Sequence, residues 1–246
     1  MSTPTRWTNG FTQDSPTQPL GQVGVPDPFF YAYYEDDFLP YNSALYTATL
    51  DGGTLAQTVA NGSGGRILLT TAAVAADFVG LQMTSAAFQI ASGMKLAYLA
   101  RVQVAAIAST SFKVGLIQTT VTPSTVTDGI YISFTAGGTS LTGSVVTGST
   151  VIGSTTIAVA PVNATDIDLG FLVDRSGNVQ FFAGHNLIGN KSAQYGTALL
   201  GPQGKILNTA LTGSFTTALL NPTIEVVTTG PAETLVADFQ FAAQER

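Results

Sequence analysis

Residues 95–104 read "KLAYLARVQV", and their alternation decides the fold class. Leu96, Tyr98, Ala100, Val102 and Val104 recur at every second position, with Lys95, Arg101 and Gln103 between them. Successive side chains of a strand point to opposite faces, so this period of two predicts a strand with one buried face. The rhythm returns in "FKVGLIQT" (112–119) with Phe112, Val114 and Leu116, and in "GIYISFT" (129–135) with Ile130, Ile132 and Phe134. In "DIDLGFLVD" (166–174), Ile167, Leu169, Phe171 and Val173 share one side. "NPTIEVVTT" (221–229) and "TLVADFQFA" (234–242) close the chain, the latter with Leu235, Ala237, Phe239 and Phe241 expected on one face.

Clusters of Gly, Ser, Asn and Pro separate these runs. "DRSGNV" (174–179) reads as a hairpin turn, because Gly177 and Asn178 tolerate positive φ. The glycine-rich stretch 136–160 keeps Val and Ile at intervals and reads as two short strands joined by Gly-Ser turns. "TAAVAADFVGLQM" (71–83) reads as strand despite its alanines, since Gly80 costs a helix about 1 kcal/mol. "YGTALL" (195–200) and "FTTALL" (215–220) each suggest a single helical turn. Many short punctuated strands make an all-β sandwich or barrel.

Composition narrows the functional classes. With 10% charged residues and a mean hydropathy of +0.29, the chain does not have the composition of a disordered protein. Nor does any window hold the roughly 18 uninterrupted apolar residues that a membrane-spanning helix needs. The net charge of −6 and nine scattered Lys and Arg exclude a basic stripe for nucleic acid. There is no cysteine, which removes disulfide and thiol chemistry. A surface so poor in charge suggests coverage by partners, because interface cores are depleted in charged residues. "MSTPTRWTNG" (1–10) lacks a secretory pattern, so synthesis in the cytoplasm is expected.

Residues 1–28 hold five of the eleven prolines and read as an extended N-terminal arm, followed by one sandwich domain over 29–246. Trp7, Phe11 and Leu20 on the arm, with Phe29, Phe30 and Tyr31 at its root, are the candidate partner-binding residues.

Three stretches resemble the concanavalin-A-like jelly rolls of lectins and glucanases. "YYEDDFL" (33–39) is similar to their acid-aromatic opening, "GFLVDRSGNVQFFAGHNLIG" (170–189) to a central hairpin, and "TLVADFQFAAQ" (234–244) to the closing strand beside the first. The resemblance implies a two-sheet antiparallel jelly-roll sandwich. The arm, the Gly/Ser/Thr/Ala composition and "ANGSGGRILLTT" (60–71) further resemble structural proteins of tailed-bacteriophage virions, capsid decoration (cement) proteins above all. That likeness implies a homo-oligomer, a trimer by preference, bound to major capsid proteins on the capsid exterior. The alternative is a carbohydrate-binding module or tail-fibre component, with Tyr195, Asn190 and Asp128 as available ligand residues.

Catalytic candidates are few. Retaining glucanases of this fold carry E-x-D-x-E on one strand face, and here "DID" supplies only Asp166 and Asp168, while Glu225 stands alone on its run. The chain is therefore expected not to be an enzyme, and no catalytic residue, cofactor or metal is assigned. Glu35, Asp36 and Asp37 read as a strand entrance, one carboxylate capping backbone donors, in preference to a Ca²⁺ site with Asn42. Tyr31, Tyr33 and Tyr34 read as core or interface surface. His185, the sole histidine, reads as a polar turn residue. "NGSGG" (61–65) reads as a turn, and Arg66, Lys95 and Arg101 as solvated faces.

Overall fold

The computed structural model describes residues 31–38, 42–51, 65–85, 87–118, 125–185 and 204–246. Fourteen described strands form in chain order: β1 (Tyr31–Asp36), β2 (Tyr46–Asp51), β3 (Ile67–Thr70), β4 (Phe78–Met83), β5 (Leu96–Val104), β6 (Thr110–Gln118) and β7 (Gly129–Phe134). Then follow β8 (Leu141–Thr147), β9 (Thr150–Ile157), β10 (Asp166–Val173), β11 (Val179–Gly184), β12 (Gly204–Ile206), β13 (Leu220–Thr228) and β14 (Thr234–Glu245). They make two seven-stranded sheets. The first runs β1-β14-β5-β10-β11-β12, with β3 also on β14, and the second runs β2-β4-β13-β6-β7-β8-β9. All described pairings are antiparallel, and the closing strand lies beside the first, as the jelly-roll resemblance implies.

The alternating residues meet between the sheets. Tyr98, Val102, Phe112, Ile132, Leu169 and Phe171 are among the fully or almost fully buried members of one core. Tyr98 stacks on Phe171 with ring centroids 5.5 Å apart, and Phe171 meets Phe181 at 6.1 Å. The β8–β9 hairpin closes through Gly148 (φ 57°) and Ser149 (φ 64°), the paired left-handed geometry that matches strand twist. In the β10–β11 turn only Gly177 takes positive φ (79°); Asn178 instead donates its amide to Asp174 Oδ2 at 2.8 Å.

Four local expectations are corrected. β14 does not keep one face throughout: its register shifts between Ala237 and Phe239, so Leu235 and Ala237 join the sandwich core while Phe239 and Phe241 point to the other side. A bulge adds one residue, and with a side-chain period of two that addition exchanges the faces. Gln240 consequently faces inward, where its amide donates to the Tyr98 hydroxyl at 3.0 Å. The acid run lies at the exit of β1, not at its entrance. "FTTALL" forms no helical turn; the described 3-10 turns lie at Ser43–Leu45 and Asn208–Ala210. The alanine-rich stretch splits, with a turn before β4 that Ala76 enters at φ 68°. "YGTALL" and the arm at 1–28 lie outside the described residues, so the 28/29 boundary does too.

Gly143 of β8 faces inward, and a Cβ built there would lie 2.7 Å from three ring atoms of Phe181. Neither sheet can move apart without opening the core around it. Gly143→Ala is expected to cost about 1–3 kcal/mol by overpacking, which for a domain of this size lowers Tm by about 2–4 °C per kcal/mol. Thermal unfolding followed by circular dichroism measures the change.

Candidate functional site

The outer face of the second sheet carries the most organised polar row. β13 turns Leu220, Ile224 and Val226 to the core and Asn221, Thr223 and Glu225 to the other side. Thr223 lies between Gln82 of β4 and Gly115 of β6, and the row continues through Tyr131, Ser144 and Ser154. Glu225 lies between Gly80 and Lys113, and its row continues through Ser133, Thr142 and Thr156. Thr142, Ser154 and Thr156 are exposed, Tyr131 and Ser133 are half-buried, and Ser144, Thr223 and Glu225 are buried. The face is thus most open at Thr142, Ser154 and Thr156 and closed over β13.

Hydrogen bonds fix the closed end. Gln82 Nε2 donates to Thr223 Oγ1 at 2.9 Å and to the Gln118 carbonyl at 3.2 Å, while the Thr223 hydroxyl donates to the Asn221 carbonyl at 3.0 Å. Glu225 is different. Neither of its carboxylate oxygens accepts a hydrogen bond, and Lys113 Nζ lies 3.7 Å from Oε2. Burial raises the Glu225 carboxyl above its ordinary range, and the lysine opposes that shift. Burial also raises the Tyr131 hydroxyl, with the Glu225 charge adding to it and a hydrogen bond from Ser144 opposing it.

This arrangement is rich in hydroxyls and poor in acids. Glycoside hydrolysis uses two carboxyl groups about 5–5.5 Å apart, or about 6.5–9.5 Å apart with inversion. On these two rows Glu225 is the sole carboxylate. A tyrosine ring among serines and threonines instead suits hydrogen bonding and stacking with a polyhydroxylated surface.

The outer face of the first sheet holds a charge cluster. Arg101 grips Asp168 with two hydrogen bonds, Nε to Oδ1 at 2.7 Å and Nη2 to Oδ2 at 3.1 Å. Arg66 pairs with Asp166 at 2.9 Å and approaches Asp238 at 3.6 Å, and Arg101 also approaches Asp238 at 3.7 Å. The two arginines are therefore partly exposed but bound into a network that joins β5, β10, β14 and the residue before β3, where the sequence suggested solvated faces. Asp238 is the third acid that "DID" lacked, delivered by the bulge of β14. With two arginines engaging all three carboxylates, the cluster is a strap between strands.

The remaining sequence candidates fall as follows. Trp7, Phe11, Leu20, Phe29 and Phe30 lie outside the described residues, as do Tyr195 and Asn190. Tyr31 is half-buried against an apolar cluster on the outer face of the first sheet. Tyr33 is half exposed, and Tyr34 packs on the main core. Asp36 caps the backbone, Oδ1 accepting from Phe38 N at 2.6 Å, while its other oxygen bonds the hydroxyls of Tyr34 and Tyr46. Asn42 caps Ala44 N at 3.1 Å, so the Asp36 and Asn42 oxygens weighed for Ca²⁺ serve the fold. Asp128 Oδ1 accepts from Gly148 N at 3.1 Å. His185 sits at the end of β11, Nδ1 at 2.9 Å from the Asp166 carbonyl and Nε2 at 3.4 Å from that of Ala160.

No family model and no curated protein matches the sequence. Solved structures do match in fold. An endo-1,3-beta-glucanase from Streptomyces sioyaensis is similar at TM-score 0.56 and 13% identity, covering 89% of this chain and 98% of that one. The carbohydrate recognition domain of Emp46p, potassium-bound, gives TM-score 0.56 at 8% identity, covering 84% and 94%. The CBM2 module of the evolved Dit of Lactobacillus casei BL23 phage J-1 gives 0.53 at 10% identity, covering 87% and 96%. The chain has the jelly-roll sandwich of the lectin and glucanase type. At these identities the likeness carries the fold and no activity.

The raised carboxyl makes a pH-dependent prediction. Folded protein holds the Glu225 proton to higher pH than the unfolded chain does. That stabilisation is complete below the ordinary glutamate value of about 4.3 and is lost as pH rises through the native value. Glu225→Gln keeps the shape without the titration. The Tm difference, variant minus wild type, is expected to grow between about pH 4 and about pH 8. A difference independent of pH in thermal unfolding would contradict the role given to burial.

Proposed function

We propose that this protein is a structural component of a tailed-phage virion, of the capsid decoration type, and that it works by attachment without catalysis. The observation that carries the proposal is the state of the sandwich edges. A free strand edge invites pairing, and monomeric β proteins commonly protect it with charge. Here β9, at the end of the second sheet, has no charged residue in its eight, although Thr212 donates its backbone N–H and its hydroxyl to the Ile152 carbonyl in the middle of it, and β2, at the other end, has only Asp51 in six. Large exposed apolar residues lie on the same two strands, Leu50 on β2 and Val151 on β9, and Tyr33 is exposed on β1 at the end of the first sheet. Such edges suit contact with neighbouring protein subunits, major capsid proteins and further copies of this chain. The lone carboxylate of the polar rows supports a non-enzymatic role.

Placing charge on both edges should break attachment while sparing the fold. Leu50→Lys combined with Val151→Lys is expected to abolish co-sedimentation with purified heads, with Tm unchanged within a few degrees. Full co-sedimentation by the double variant would refute the edge reading.

A second reading is favoured by Tyr131 and its surrounding hydroxyls, and by the carbohydrate recognition domain among the fold neighbours. In it, the open part of the second sheet binds a cell-surface glycan and the virion position is a tail fibre or tail module. Glycan-array binding that falls at least tenfold on Tyr131→Ala would support this reading, and absence of binding by the wild type would dismiss it.

A further inference from the structure

Charge is spread unevenly over this chain. One residue in ten is charged overall, yet residues 129–165 and 206–224 contain no Asp, Glu, Lys or Arg. The fold joins these two stretches along one side of the sandwich. Thr212 donates both its backbone N–H, at 2.9 Å, and its hydroxyl, at 3.1 Å, to the Ile152 carbonyl of β9. A Cβ built on Gly153 would lie 2.7 Å from the Leu211 side chain, and one on Gly213 would lie 3.0 Å from Ile152. β9 and the segment 207–219 against it therefore form a continuous band without a charge. Large apolar side chains stand out from it: Val151 is 52% exposed, Leu207 47% and Leu219 52%. Charge resumes at the margins. Asp128 holds Gly148 N at the hairpin tip, Lys205 is exposed just before the segment, and Asn208 bonds to Asn178 in the turn that carries Asp174 and Arg175. An interface has this anatomy, a centre depleted in charge within a polar rim.

We propose that a second copy of this chain docks on the band; the assignment rests on the edge reading above and gives the β9 side to self-association. Charge selects that occupant. The chain carries a net charge of −6. Two copies repel wherever their charged surfaces meet, whereas on this band neither copy brings a charge to the contact. A partner of opposite sign gains nothing there and is drawn to the acidic remainder of the surface. Size is adequate as well. Residues 147–158 and 207–219 supply twelve and thirteen positions, all but Ile152, Ile157 and Thr216 exposed or half-buried. A standard interface uses about 20–30 residues a side. Contact is made by side chains, because Thr212 already occupies the Ile152 carbonyl in the middle of β9. The same bond hinders strand addition at that point, the route by which a bare edge recruits chain after chain.

Sedimentation velocity of the isolated full chain tests this without a virion. At micromolar concentration the wild type is expected to sediment as more than a monomer. Val151→Glu with Leu207→Glu is expected to weaken self-association at least tenfold, with circular dichroism unchanged. Val151→Lys with Leu207→Lys is expected to weaken it likewise, and mixing the Lys and Glu variants to restore it. Val74→Glu, at a position 58% exposed in the turn before β4 and outside the band, is expected to change it less than twofold. Should the first pair misfold, Ser154→Glu with Thr209→Glu, at exposed polar positions of the same band, takes its place. A monomeric wild type, association that survives the band variants, or a mixture that stays monomeric would overturn the proposal. So would equal weakening by Val74→Glu, which would trace the effect to net charge and not to the band. Co-sedimentation with heads is a separate readout: a monomeric wild type that still binds heads through its edges sinks this inference and leaves the edge reading standing.

Discussion

One strand constrains most of this molecule. β14 runs for twelve residues, pairs with β5 along one side and with β3 and β1 along the other, and changes face once, at Asp238. Before the bulge it feeds the core through Leu235 and Ala237; after it, Gln240 and Ala242 face inward and Phe239 and Phe241 face out. The same extra residue sends Asp238 to Arg66 and Arg101. A single irregularity thereby sets the inner layer, the outer apolar cluster and the charge strap. Removing it would exchange the faces of one half of the strand relative to the other.

Much of this was legible in the amino acids, and the failures have physical causes. The periodic strands around Tyr98, Val114, Ile132 and Leu169 were readable because apolar residues recur at every second position along their core-facing side. The β8–β9 hairpin was readable because Gly148 and Ser149 supply the turn. The bulge was not, since "LVADFQF" keeps apolar residues at alternate positions on either side of Asp238 and so looks like an unbroken face. Nothing in the local pattern marks the extra residue. The fate of Arg66 and Arg101 was equally hidden, because their partners lie 100 and 67 residues away in the chain. Their pairing depends on strand order, which local spacing does not encode.

Glu225 illustrates how a candidate site changes meaning once its neighbours are known. By sequence it was the one acid on its run. In three dimensions it closes a polar face whose open end is serine, threonine and Tyr131, with Lys113 as its nearest cation. A buried carboxyl without hydrogen bonds is a cost to the fold. The lysine offsets part of that cost, and the upward shift of the carboxyl is the part that remains. The signal available beforehand was the spacing of Asn221, Thr223 and Glu225, three polar residues at period two within β13. Their shared face needed only the strand assignment to be seen.

The central functional claim is that an uncharged sandwich edge holds other subunits on a virion. A cryo-electron-microscopy reconstruction of purified particles tests it most directly. The account predicts density for this sandwich on the outside of the head, with β2 or β9 against a capsid protein or another copy. A reconstruction with no such density on the head, or with both edges facing solvent, would contradict it.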